Sequence, residues 1–468
     1  MTESRWTPAL DDRLSPRLAM AEPGVAHRPA LATADVVWTF AQLHTQAEAL
    51  ALRLDLDALP VAARVAFAAP NTPQTLALLW ALLDRGLCAV PLHPRWTDAE
   101  RTARLAHVTP HLTLDPGLNV AGRDLQAPDS PWDAAALIFT SGTSGRPKAA
   151  VLTRRNLQAA AHASALHLGT TDDDAWLLAM PLAHVGGLSI VTRMLAGRRK
   201  VALLPRFDVT AVLQQVTTGR VTLLSVVPAM LHDLLAADTG NLLSRLRILL
   251  VGGDRCPPRL LAEAWARGWP ALPSYGLTET CAQVATARPQ DPSGGAFALP
   301  GVELAVLDDA GLPVAAGVTG EVAVRGASLC SGYWGQRESH VDAQGFFRTG
   351  DLGLQDGTGR LLVAGRRSDR LISGGENVDP AEVEAVLRAC PGVADAVVVG
   401  VPDERWGEVV AALLVAVPGT PLDFPTVAVQ AADRLAVHAR PRKWAQALAL
   451  PRNSGGKVDR AAVRRQFE

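Results

Sequence analysis

Nine consecutive residues, Thr140, Ser141, Gly142, Thr143, Ser144, Gly145, Arg146, Pro147 and Lys148, follow an apolar run at 134–139. Glycines let the main chain approach an anion, hydroxyls and amides donate hydrogen bonds to it, and the lysine supplies charge. The segment therefore has the chemistry of a polyphosphate-binding loop. It is not a Walker A loop, because Gly142, Gly145 and Lys148 are spaced differently and Ala149 replaces the required hydroxyl. Taken alone, the same composition also makes a surface turn. A second cluster, Tyr275, Gly276, Leu277, Thr278, Glu279 and Thr280, holds an aromatic ring, a hydroxyl and a carboxylate. The ring suits stacking on adenine and the carboxylate suits Mg²⁺ bridging phosphate oxygens; the alternative is a strand-to-helix turn N-capped by Thr278. Thr349, Gly350 and Asp351 offer a carboxylate able to grip ribose hydroxyls, or else an Asp-containing turn. Two further segments follow. One, at 365–384, contains Arg366, Ser373, Gly374, Gly375 and Glu376; the other, at 450–458, sets Lys457 after a glycine pair near the end of the chain. The chain has four lysines and two tyrosines, and Lys148, Lys457 and Tyr275 fall inside these segments, so they are poorly explained as filler.

The elements that must carry these residues read as α/β winding. Strand-like runs at 65–69, 88–92, 134–139, 201–204 and 247–251 alternate with Ala/Leu-rich helical stretches, and several end in Gly- or Pro-containing loops. Such strands suit a parallel sheet with ligands beyond its carboxyl ends. Past about 288 the texture changes to short runs at 303–307, 320–325 and 361–364 separated by Asp, Gly and Pro, the pattern of a small β-rich unit. A compact tail follows, with strand-like 396–400 and 411–417 and helix-like 380–389, for which Glu382, Glu384 and Arg388 are expected to form the polar face. A domain boundary is expected near 366–369.

Bulk properties narrow the function classes. At 468 residues the chain exceeds one core and predicts two or three domains. Its 48% apolar and 19% charged residues are globular in balance. A net charge of −1 with no basic face gives no reason to expect a nucleic-acid partner. The apolar run at 76–83 stops at Asp84, too short for a membrane span of about 20 residues, and no signal peptide is expected at the start. Five scattered cysteines without zinc or redox spacing predict free thiols in a reducing cytosol. Small-molecule substrates are the expected partners, and a homo-oligomer is left open.

In this order and at these separations, the five segments resemble the core motifs of the adenylate-forming superfamily: acyl-CoA synthetases, luciferases and peptide-synthetase adenylation domains. The resemblance runs from about residue 40 to 460. Segments 180–190 (with Met180, His184, Gly186 and Gly187), 221–228 and 372–377 are similar to those of the o-succinylbenzoate–CoA ligases of menaquinone synthesis. The resemblance implies a large N-terminal domain, residues 1–366, built from two α/β sheet subdomains plus a β-barrel-like subdomain at about 288–366. A small, mobile α+β C-terminal domain, 369–468, would follow a hinge at 367–369. It implies ATP, Mg²⁺ and coenzyme A as cofactor and co-substrates. Thr140, Ser141, Gly142, Thr143, Ser144, Gly145 and Lys148 would hold the phosphates, Glu279 would organise the metal, and Tyr275, Gly276 and Thr278 would face the nucleotide. Asp351 and Arg366 would take the ribose. Lys457 would be the adenylation lysine, and Thr278, Glu279 and His184 would join it in catalysis. His184, Gly252, Gly253, Thr278 and Gln283 would surround the acid, and Ser373, Gly374, Gly375 and Glu376 would form the coenzyme A side. Departures from the common pattern occur at Ala149, Arg154, Asp254, Arg255, Cys256 and Ala282. Two other readings stand beside the o-succinylbenzoate ligase: a ligase for an aryl or medium-chain fatty acid, and a nucleotide-binding protein without catalysis.

Overall fold

A computed structural model of the protein describes residues 12–127, 133–140, 148–292, 295–336, 338–367, 371–373, 376–403, 406–453 and 456–467. Two large sheets dominate its first part. The nine-stranded sheet has a parallel centre, in the order Ala271–Tyr275, Ile248–Val251, Leu223–Val226, Ala175–Leu178, Lys200–Leu203 and Pro29–Ala32. The six-stranded sheet is parallel through Leu112–Leu114, Arg64–Ala68, Cys88–Leu92 and Ala134–Thr140 and ends in the antiparallel strand Lys148–Thr153. These strands are short, apolar and buried on both faces, as parallel strands flanked by helices must be.

Local chemistry sets the helices. Thr72 caps Pro73–Asp84 by accepting the Thr75 N–H, and proline occupies the first helical turn, where no N–H is needed. Leu76, Leu78, Leu79 and Leu82 of that helix are buried all round, so the apolar run marked in the sequence is a core helix. No helix among the described residues is long and apolar enough to cross a membrane.

By packing, the chain divides into two compact units. One comprises Met1–Leu304, Val324–Phe347 and Thr358–Leu361; the other comprises Ala305–Ala323, Arg348–Gly357 and Leu362–Glu468. Four strands, Val302–Leu307, Gly320–Gly326, Phe347–Gln355 and Leu361–Arg366, form a sheet in chain order. The tail forms a five-stranded sheet around the long pair Val393–Asp403 and Gly407–Ala416, covered by the helix Pro380–Arg388. On that helix the expected polar face needs correcting. Glu384 is 5% exposed, accepts the Val398 N–H at 3.0 Å, and pairs with Arg388 at 3.1 Å and Arg460 at 2.8 Å. Its i,i+4 spacing with Arg388 is real, but the pair points at the sheet, not at water. Cys88, Cys256, Cys281, Cys330 and Cys390 are all free thiols. Burial pushes Cys88, Cys256 and Cys330 up to about 12, leaving them without useful thiolate at neutral pH.

Candidate active site

Four adjacent parallel strands of the larger sheet deliver their following loops to one edge. Ala175–Leu178 leads to His184, Leu223–Val226 to Pro228, Ile248–Val251 to Gly252 and Gly253, and Ala271–Tyr275 to Thr278 and Glu279. The smaller sheet does the same: Cys88–Leu92 runs into His93 and Ala134–Thr140 into the hydroxyl-rich loop. Thr140 and Lys148 are partners in the antiparallel register, so the ends of that loop are clamped side by side. Residues 141–147 (Ser141, Gly142, Thr143, Ser144 and Gly145 among them) lie outside the described residues.

The two carboxyl edges touch through histidines. His184 stands at the N-cap of the helix Val185–Ala196, and its ring lies 5.2 Å from that of His93, tilted by 46°. His93 is 2% exposed, and its Nδ1 accepts the Arg95 N–H at 3.1 Å. Burial, reinforced by Arg95, lowers it to about 4, so it is a neutral ring at physiological pH.

Glu279 lies on a single 3₁₀ turn, Thr278–Thr280. Thr278 does not cap a helix here. Leu277 opens the turn, and Thr280 Oγ1 accepts the Leu277 N–H at 3.0 Å. The return of the chain is tight: a Cβ on Gly276 would sit 1.3 Å from the Ala282 carbonyl oxygen, which only glycine avoids. One oxygen of Glu279 accepts the Tyr333 hydroxyl at 2.7 Å, while Oε2 has no partner among the described residues. No group of three or more His, Cys, Asp or Glu able to hold a metal occurs among the described residues. A Mg²⁺ fitted to Glu279 would therefore draw its remaining ligands from substrate phosphates and water, the usual situation for this ion.

Gln283 does not present a free amide. Its Oε1 accepts from Ser164 Oγ at 2.8 Å and its Nε2 donates to Thr286 Oγ1 at 2.6 Å, so it builds a wall. A further buried residue is one that spacing alone did not single out. Arg193, 8% exposed, sits on the apolar helix that His184 opens, with its guanidinium 5.3 Å from the Trp176 ring centre. Its Nε and Nη2 are buried without a hydrogen-bond partner among the described residues, and burial pulls its pKa down to about 10. The available signal was one charge in the stretch Leu188, Ser189, Ile190, Val191, Thr192, Arg193, Met194, Leu195. Arg154, a departure from the family pattern, is explained by a buried ion pair with Asp12 at 2.8 Å.

In the second unit, Asp351 is 6% exposed and pairs with Arg366 at 3.0 Å, so the two residues expected at a ribose stand together. Lys457 is exposed on a tight turn, where its N–H donates to Asn453 Oδ1 at 3.1 Å and its carbonyl accepts the Asn453 N–H at 2.8 Å. Ser373 and Glu376 are register partners in a hairpin; Gly374 and Gly375 lie outside the described residues.

Residues 21–122 and 115–334 match the family model for AMP-binding enzymes, and 382–457 match the AMP-binding enzyme C-terminal domain. The chain belongs to the AMP-binding enzyme family. Within it, the chain is 36% identical over 463 residues to the 2-succinylbenzoate–CoA ligase of Bacillus pumilus, covering 92% of this chain and 94% of that protein. It is 35% identical over 472 residues to the indoleacetate–CoA ligase of Aromatoleum aromaticum, covering 91% and 92%. The o-succinylbenzoate CoA synthetase of Bacillus subtilis, solved with its acyl-adenylate intermediate, superposes with a TM-score of 0.86 at 31% identity, covering 99% of each chain. The expected α/β class, with a large N-terminal and a small C-terminal domain, is that of these AMP-binding enzymes.

Proposed function

We propose that this AMP-binding enzyme is an acid–CoA ligase that activates o-succinylbenzoate as its acyl-adenylate and transfers the acyl group to coenzyme A, in the cytoplasm, within menaquinone biosynthesis. The observation that carries the choice of a dicarboxylate is Arg193. A guanidinium with two buried nitrogens unpartnered among the described residues, on the helix that His184 opens, suits a second carboxylate.

In the first half-reaction the acid's carboxylate attacks the α-phosphate and pyrophosphate leaves. Both reacting groups are anionic, so catalysis consists of charge neutralisation and alignment. The loop 140–148 with Lys148 cradles the phosphates, and Tyr275 lies against adenine. Asp351 accepts from ribose hydroxyls while Arg366 holds that carboxylate in place. A divalent cation arriving with ATP would be held by Glu279 and would offset phosphate charge. Lys457, presented on its exposed turn, bridges nucleotide and carboxylate. In the second half-reaction the tail turns about residues 367–369 and brings the Ser373–Glu376 segment, including Gly374 and Gly375, to the incoming thiol, which displaces AMP.

The test is direct: purified protein with ATP, Mg²⁺, coenzyme A and o-succinylbenzoate forms AMP and the thioester. Turnover of other acids without turnover of this one would reject the assignment. The second reading, an aryl-acid ligase, is supported by the indoleacetate–CoA ligase relative at nearly the same identity. A strong preference for indoleacetate or another aryl monocarboxylate over the dicarboxylate would favour it.

A further inference from the structure

The segment Cys330–Ser331–Gly332–Tyr333–Trp334 lies far along the chain from both loops of the nucleotide site, yet its backbone is bound to both. Ser331 N–H donates to the Val151 carbonyl at 3.0 Å, Val151 N–H to Gly332 at 2.9 Å, and Trp334 N–H to Ala149 at 2.8 Å. The segment thus runs as an extra strand along Lys148–Thr153, the return strand of the phosphate loop. At its other end Cys330 N–H donates to the Glu279 carbonyl at 2.7 Å. Tyr333 is consequently fixed between the two. Its hydroxyl donates to Glu279 Oε1 at 2.7 Å, and Lys148 Nζ lies 5.5 Å from its ring centre, within cation–π range.

We infer that Tyr333 is a positioning residue for ATP activation: its hydroxyl fixes Glu279 so that Oε2 faces the phosphate-bound divalent cation, and its ring holds Lys148 beside the same phosphates. The inference rests on the ligase reading above. The physical need is clear. Glu279 is a carboxylate without a partner cation among the described residues, on a one-turn 3₁₀ element too short to restrain its side chain. Glu279 Oε1 already accepts a charge-assisted hydrogen bond and is the poorer metal ligand, which leaves Oε2 as the coordinating atom. A neutral donor does this without competing for the metal, where a lysine or arginine would cancel the charge the metal needs. The same ring keeps Lys148 from closing on Glu279 as an ion pair. Tyr333 thereby holds the site's anion and cation apart until ATP and its metal are bound.

The full-length protein tests this by Mn²⁺·ATP binding, followed by loss of the free Mn²⁺ electron paramagnetic resonance signal, without acid or coenzyme A. AMP binding, measured by calorimetry, is the metal-free control. Removing a hydrogen bond to a charged group predicts about tenfold weaker Mn²⁺·ATP binding by Tyr333→Phe, with AMP affinity changed by less than about twofold. The Mg²⁺ concentration that half-saturates pyrophosphate release rises by the same factor. Tyr333→Leu, which also removes the ring, weakens metal-free ATP relative to AMP, which Tyr333→Phe does not. In a Glu279→Gln background the phenylalanine substitution adds nothing further to the loss.

Wild-type Mn²⁺·ATP affinity in Tyr333→Phe, or equal losses for AMP and Mn²⁺·ATP, overturns the role of Tyr333. If the wild-type protein itself retains no Mn²⁺·ATP and releases no pyrophosphate with any acid, it is the ligase reading that fails. Should the phenylalanine variant misfold, the two-tyrosine composition gives another route. In a Tyr275→Phe background, difluorotyrosine incorporation alters residue 333 alone, and its phenol ionises near neutrality. Mn²⁺·ATP binding must then weaken as pH rises through that phenol's ionisation, followed by its own absorbance in the same protein, while the protein made with ordinary tyrosine stays flat over the same range. A flat profile in both refutes the hydrogen bond's role.

Discussion

Replacing Arg193 with methionine separates what the arginine costs the empty protein from what it does for the acid. Burial lowers its pKa from 12.5 to about 10, which corresponds to roughly 3 kcal/mol of uncompensated desolvation at ~1.4 kcal/mol for each tenfold change. Methionine has similar length, a good helix propensity and no charge, so Arg193→Met recovers part of this. Allowing for lost packing on Trp176, we expect thermal denaturation about 2–5 °C higher in the absence of ligands. The opposite sign is expected in catalysis. Breaking a buried guanidinium–carboxylate pair typically costs about 3–5 kcal/mol, so kcat/KM for o-succinylbenzoate should fall by roughly 10²–10³-fold in a pyrophosphate-release assay. The two monocarboxylate analogues, each lacking one carboxylate, resolve the role. The analogue that retains only the activated carboxylate should change by less than about threefold, and Arg193→Lys should fall between wild type and methionine with the dicarboxylate. A variant that melts earlier and loses every acid in equal proportion would make Arg193 a structural residue and remove the argument for a dicarboxylate.

Three further outcomes follow from named contacts. Lys457→Ala should slow adenylation by about 10²–10³-fold while leaving thioester formation from preformed acyl-adenylate nearly unchanged, and equal losses in both half-reactions would count against the alternating tail. His93 titrates at about 4 in the native state against 6.5 ordinarily, so between those values the unfolded chain takes up a proton that the native ring refuses. Stability therefore falls as pH drops through this window, and the melting temperature lost between pH 7 and pH 5 should exceed that of His93→Asn by about 2–4 °C. Gly276→Ala places a carbon 1.3 Å from the Ala282 carbonyl oxygen and should abolish ATP binding by displacing the Thr278–Thr280 turn, with circular dichroism of the remaining fold largely intact.

The framework was open to reading because short apolar runs bounded by glycine and proline are what parallel strands require. Runs at 65–69, 88–92 and 134–139 correspond to Arg64–Ala68, Cys88–Leu92 and Ala134–Thr140 within a residue or so. Local chemistry likewise singled out Lys148, Glu279 and Asp351 as candidates, because their sequence neighbours carry complementary groups. Glu384 was misread because i,i+4 spacing shows which side chains share a helix face but not whether that face meets water. Its partner Arg460 lies on another element altogether. Tyr333 escaped assignment for a related reason. Its scarcity marked it, but its hydrogen-bond partner is 54 residues away in the chain, and no spacing rule reaches across that distance.

How the protein treats its other buried charges is what gives Arg193 its meaning. Asp174 is met by Arg247, Thr171 and Thr222; Arg154 by Asp12; Arg198 by Glu22; Asp84 by Arg17; and Glu384 by two arginines. Asp238 accepts two main-chain N–H groups, and Arg64 donates to two carbonyls. Each of these sites meets its charge with at least one partner inside the fold, the condition under which buried charge is tolerated. A fold that solves the problem so consistently elsewhere would be expected to place leucine or methionine at residue 193 if packing were the only demand. A charge kept there at a net cost to the empty protein is compensated only when an anion arrives from outside. On the proposed reading that anion is the second carboxylate of the acid, met on the helix that His184 opens.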